Sequence, residues 1–160
     1  MPFEDDRGYT YEGTVQVGQF SVVKAESSTY KDGFVLTGAQ GDQPLGVIQD
    51  GIVPHGSDVY AKGVYTGISN TAWPANSMPA SPAGQKRTVR VRGRSQMIAA
   101  GAVARGDRLI SANNLGQVAS VVTLNLAGGT AIWVVAIADT ACSNQGDVVY
   151  GDVNPHKETV

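Results

Sequence analysis

A chain of 160 residues with a net charge of −2, 16% charged residues and 20 glycines reads as one turn-rich domain with a low-charge surface. That balance gives no general attraction for nucleic acid or an anionic membrane, and no apolar run reaches membrane-spanning length. The lone Cys142 excludes an intrachain disulfide, and the acidic start Met1-Pro2-Phe3-Glu4-Asp5-Asp6 lacks the apolar stretch of a leader, so synthesis in a cytoplasm is expected.

Residues 1–13 are polar and acidic, with Phe3, Tyr9 and Tyr11 interspersed and no strand or helix period. They are predicted to form an extended arm that orders on a partner, its aromatics serving as anchors. Such an arm could be removed without loss of the fold. From Thr14 the pattern turns to strand, with Val15-Gln16-Val17 and then Phe20-Ser21-Val22-Val23. Further strands are predicted over 34–37, 45–49, 58–61 and 64–68, each bounded by Gly, Pro, Asp or Asn.

Residues 69–86 carry three of the seven prolines and form a long Pro/Ala/Ser-rich loop. Its Trp73 has two readings, a cover for the end of a barrel or an intermolecular contact. Strict alternation resumes in Thr88-Val89-Arg90-Val91-Arg92-Gly93-Arg94, and residues 99–104 are either one helical turn or a loop. Strands are expected over 109–111, 117–123, 130–138 and 147–151. Asn113-Asn114-Leu115-Gly116 is a turn, since Asn and Gly tolerate positive φ. Short strands with frequent turns give an all-β fold, a small barrel spanning 14–151 with a tail over 152–160.

A unit recurs within this body. One copy runs through Lys31-Asp32-Gly33-Phe34-Val35-Leu36, Pro44-Leu45-Gly46-Val47-Ile48 and Gly56-Ser57-Asp58-Val59-Tyr60. The other runs through Gly106-Asp107-Arg108-Leu109-Ile110, Val134-Val135-Ala136-Ile137-Ala138 and Gly146-Asp147-Val148-Val149-Tyr150. The Arg105-Gly106-Asp107 tripeptide needs no receptor to explain it, because Gly106-Asp107 is the turn before a strand, as Gly146-Asp147 is in the closing segment of the same copy.

Charge is unevenly spread. Residues 1–85 hold four basic and nine acidic residues, net −5, and residues 86–108 hold seven basic and one acidic, net +6. The remaining residues hold one basic and four acidic, net −3. Arg90, Arg92 and Arg94 share parity and are expected on one strand face. That stripe reads as a solvated face, as a docking stripe for an acidic protein surface, or as a nucleic-acid surface. The last is disfavoured because no aromatic is interleaved to stack bases. An acidic arm lying against a neighbour's stripe would give a homo-oligomer.

Chemistry is sparse. The two histidines, His55 and His156, have no carboxylate or cysteine at ligand spacing, so no metal site is expected. No phosphate-binding loop, nucleotide fingerprint or nucleophile elbow occurs. A non-enzyme without a cofactor or small-molecule substrate is expected.

The second copy, with Ala99-Ala100-Gly101, Gly106-Asp107-Arg108-Leu109, Asn114-Leu115-Gly116-Gln117-Val118, Val135-Ala136-Ile137-Ala138 and Gly146-Asp147-Val148-Val149, resembles the tailed-phage head decoration, or capsid cement, proteins. Gly13-Thr14-Val15-Gln16-Val17-Gly18 and Pro44-Leu45-Gly46-Val47-Ile48 fit as well. The resemblance implies a β-barrel or β-tulip-like body bound to the major capsid protein on the outer surface of a virion, often as a trimer, without catalysis. The alternative is a β-barrel that binds a carbohydrate or host receptor, with Trp73 as the stacking residue.

Overall fold

The computed structural model describes residues 4–13, 17–49, 84 and 86–160. The predicted strands over 58–61 and 64–68, His55 and nearly all of the 69–86 loop lie outside them.

Among the described residues nine strands form one continuous sheet. They are β1 (Asp5–Tyr11), β2 (Val22–Ala25), β3 (Gly33–Leu36), β4 (Gly46–Ile48), β5 (Lys86–Ile98), β6 (Arg108–Ser111), β7 (Val118–Ser120), β8 (Ala131–Ala138) and β9 (Val148–Thr159). The sheet order is β1-β3-β2-β4-β5-β9-β8-β6-β7, and β1 also pairs with β5. That extra pairing closes β1, β3, β2, β4 and the first part of β5 into a five-strand barrel. The second part of β5 leaves the barrel at Gly93 and pairs with β9 from Gly93–Val153 to Ile98–Val148. The all-β barrel reading therefore holds. One short helix, α1 (Val121–Leu124), is present among the described residues.

The barrel interior holds Tyr11, Val17, Val23, Phe34, Ile48 and Val89, with the Tyr11 and Phe34 rings 5.4 Å apart. The adjacent Val22 and Val47 face the other way, into a second core with Met97, Leu109, Val118 and Val149. Strands β2 and β4 thus have both faces covered. That explains the unbroken apolar pairs Val22-Val23 and Val47-Ile48 where a half-exposed strand would alternate. Gly46 sits where β4 crosses β5, and a Cβ there would lie 2.2 Å from the Arg90 carbonyl oxygen. A third cluster, Ile110, Val121, Ile132 and Val134 with Leu124, Leu126 and Val160, lies under α1.

Three expectations are corrected. Residues 5–11 are a sheet strand rather than a free arm: β1 runs antiparallel to β5 from Asp5–Arg92 to Thr10–Lys86 and reaches β3 at Thr10 and Tyr11. Removing residues 2–12 would take Tyr11 out of the core. The tail over 152–160 is the second half of β9, paired with β8 out to Thr159–Ala131. The strand expected over 117–123 stops at Ser120, whose Oγ accepts from the Val122 amide at 3.2 Å and caps α1.

The sequence repeat has a local rather than a global counterpart. Strand β2 separates β3 from β4, whereas β6 and β8 are neighbours, so the matched strands differ in their pairing. The Gly-Asp turns do repeat. Gly106 and Gly146 have φ of 89° and 88°, where glycine is favoured. Asp107 Oδ2 accepts from the Ala104 amide at 2.9 Å, and Asp147 Oδ2 from the Asn144 amide at 3.0 Å. A third instance, Gly41-Asp42, has the same form: Gly41 has φ 78°, and Asp42 Oδ2 accepts from the Ala39 amide at 3.1 Å.

Candidate functional site

The arginines of β5 occupy the waist where the strand passes from the barrel into the second half. Their shared parity does not make one uniform stripe. Gly93, at φ 108°, lies between Arg92 and Arg94, and β5 changes partner there. Arg90 turns toward β1. Its guanidinium holds Asp6 through two bonds of 2.7 and 2.9 Å, reaches Glu4 Oε2 at 3.1 Å and donates to the Arg94 carbonyl. Its side chain is only 14% exposed, so most of its charge is spent within the chain. The Arg90 guanidinium beside Asp6 holds that carboxyl below the usual carboxylate range. The acidic segment thus meets its own chain's arginine in this structure.

Arg94 turns toward the second half. Its Nε lies 3.2 Å from Asp139 Oδ2, and its guanidinium stacks 5.0 Å from the centre of the Tyr150 ring. The Tyr150 hydroxyl accepts from Gln96 Nε2 at 3.1 Å. Arg92 is exposed and opposite Asp5 in the ladder. Arg90 and Arg94 share a shallow cleft of about 250 Å³ with Glu4, Phe20, Gln96 and Tyr150.

Beyond the cleft lies a four-strand face. One cross-strand row runs Arg94, Asp152, Ile137, Arg108 over β5, β9, β8 and β6. Ile137, Val148 and Tyr150 on this sheet remain 37–40% exposed. Arginine and tyrosine beside exposed aliphatic residues are the composition of protein contact surfaces. The alternation Val148, Tyr150, Asp152 is present in the sequence, but its outward face becomes recognisable only once Arg94 and Ile137 stand beside it.

The aromatic anchors fare differently. Tyr11 is fully buried against Phe34 and cannot meet a partner. Tyr9 is half-buried and packs on the barrel core. Phe3 and Trp73 lie outside the described residues. The Asp107 of Arg105-Gly106-Asp107 also accepts from Ser120 Oγ at 2.6 Å, so its carboxylate is occupied within the fold.

Among the described residues no group of three or more His, Cys, Asp or Glu could hold a metal ion. Burial pushes the Cys142 thiol up, away from a reactive thiolate. The surface that remains suits noncovalent contact through stacked and hydrogen-bonding side chains.

No protein-family model and no curated protein sequence matches the chain. Among solved structures, it is similar in fold to the N base of the head fiber gp8.5 of bacteriophage phi29, with a TM-score of 0.52 and 12% identity over 95% of both chains.

Proposed function

We propose that this chain is a structural, non-catalytic protein of a tailed-phage head, seated on the outer surface of the capsid shell. The observation that carries the reading is the fold shared with a phage head-fiber base along nearly the whole of both chains. The resemblance of most of residues 13–151 to head decoration proteins supports it from the sequence side. In this reading the protein is made in the host cytoplasm and joins the virion by binding the major capsid protein. It bridges neighbouring subunits as a cement, as a trimer at local three-fold positions. Binding to the assembled lattice and not to free subunits adds its free energy to the shell by mass action. Many copies then turn a modest contact into a large effect.

The test is co-sedimentation of the purified protein with expanded and unexpanded phage heads. Saturable binding to expanded heads alone is expected, with a raised disruption temperature of the decorated shell. Binding without any gain in shell stability would make the protein an attached appendage rather than a cement. Absence of binding to both head forms would remove the capsid reading.

A further inference from the structure

Strand β9 outruns β5. Its pairing with β5 ends at Val153, and from there to Thr159 its strand partner among the described residues is β8. The two strands leave the second half as a ribbon, Ala131 to Val134 against His156 to Thr159. Along its length this ribbon packs on the small core under α1, to which Ile132, Val134 and Val160 belong. Arg108 of β6 reaches the ribbon through Glu158, and His156 holds that carboxylate from within β9. His156 Nε2 lies 2.6 Å from Glu158 Oε1, and the other carboxylate oxygen of Glu158 accepts from Arg108 of β6 at 3.0 Å. The second ring nitrogen of His156, Nδ1, lies 2.5 Å from the Asn154 carbonyl oxygen.

Both ring nitrogens therefore face acceptors. A neutral imidazole has one N–H and one lone pair, so it satisfies one of these contacts and opposes the other. Only the imidazolium donates to both. We propose that His156, Glu158 and Arg108 form a pH-sensitive latch, closed while the imidazole is charged, that fixes the end of β9 and the margin of the core beneath α1. The surrounding charges suit that role. Glu158 is the acidic group at the ring. Arg108 stands on the far side of that carboxylate, and Lys157 is directed to the Trp133 ring at 6.0 Å. The facing residues of β8, Ile132, Trp133 and Val134, carry no ionisable group, nor do Val121–Leu124 of α1.

The direction of linkage follows. The hydrogen bond to the Asn154 carbonyl, then that to Glu158, raises the imidazole above its ordinary value. A raised basic group stabilises fully below its unfolded pKa, and the contribution fades as pH rises through the folded one. The latch is therefore closed in mildly acidic solution and opens as pH climbs through the raised folded value of the imidazole.

The test uses the full chain with His55→Gln, which leaves His156 as the sole histidine. Proton NMR of its ring should titrate above the ordinary value of about 6.5, and Glu158→Gln should bring the midpoint back toward it. Amide exchange at Lys157, Glu158, Thr159 and Val160, corrected for intrinsic rates, should lose roughly two- to fivefold protection between pH 6 and pH 9, the scale of one exposed charged contact. In His156→Gln that loss should vanish. A midpoint at or below the ordinary value overturns the proposal. So does protection that ignores pH in the parent chain, or a pH dependence that persists unchanged in His156→Gln.

Discussion

The first barrel carries much of its charge at its seams and two aromatic rings at its centre. Arg90 with Asp6 and Glu4 ties β5 to β1 and the residue before it, Lys86 with Asp32 ties β5 to the residue before β3, and Lys24 with Asp42 ties β2 to the turn between β3 and β4. Inside, Tyr11 and Phe34 fill much of the space. The second half has a core of small aliphatic residues, Val103, Val118, Val135, Ala136 and Ala138 among them. Two of its strands, β6 and β9, begin at Gly-Asp turns whose aspartates accept backbone amides. A narrow closed barrel is filled by a few large side chains, so each matters greatly. A wider packed sheet spreads the same task over many, so each matters less.

Phe34→Ala is the strongest way to break that contrast. It should cost about 3–5 kcal/mol, the range for emptying a buried aromatic site, while Val135→Ala should cost visibly less. Urea denaturation of both variants compares them, and equal losses would erase the difference between the two cores. Gly46→Ala comes next. The added methyl meets the β5 backbone, which cannot move aside as a flexible side chain would. A loss of about 1–3 kcal/mol is expected, read as a lower thermal midpoint.

Arginine substitutions sharpen the comparison at the seam. Arg90→Gln leaves Asp6 and Glu4 without their cation and should cost about 1–2 kcal/mol. Arg92→Gln should stay within about 0.5 kcal/mol, as exposed substitutions usually do. Similar values for the two would mean that the half-buried bonds of Arg90 contribute little. The smallest effect per group is acid. Hydrogen bonds from Arg7 and Arg90 hold Asp5 and Asp6 below the usual range. Burial opposes the same shift at Glu12 and Asp42. There, hydrogen bonds from Tyr30 N and Ser28 Oγ, and from Lys24 and Gly38 N, still win. Lowered carboxylates stabilise above the ordinary range and lose that contribution as pH falls through their folded values. Among the described residues the second half has one lowered carboxylate, Glu158, lowered by His156 and then Arg108. Amide exchange at pH 3 against pH 6 should therefore show the barrel loosening before the second half.

Much of this was legible in the chain. The Val22-Val23 and Val47-Ile48 pairs, the alternation around Val89 and the Asn113 to Gly116 turn all mark elements that exist. Segment β1 was not legible, because Asp5, Asp6 and Arg7 are exposed or half-exposed residues that pair through their backbones. Only Thr10 and Tyr11 at its end are buried. The end of β9 was hidden for the same reason, since Asn154, Pro155, His156, Lys157 and Glu158 look like a solvated tail. The partners of Arg90 were beyond any local pattern, as Asp6 lies 84 positions away. Gly41-Asp42 was visible as a dipeptide, but its kinship with Gly106-Asp107 shows only in the matching amide bonds to Asp42 and Asp107.

Strand β5 serves both halves, and this has a mechanical consequence. Its thirteen residues span about 43 Å and carry ladders to β1 and β4 at one end and to β9 at the other. A load along that strand meets each ladder in shear, so the bonds of a ladder bear it together instead of opening one after another. A pull on the barrel passes into the second half along this backbone and through the bonds of the Val22 amide to the Gly116 carbonyl and of the Gly41 amide to the Ser111 carbonyl. Under tension β5 acts as a tie rod shared by the two halves, with Gly93 the residue at which its ladders change partner.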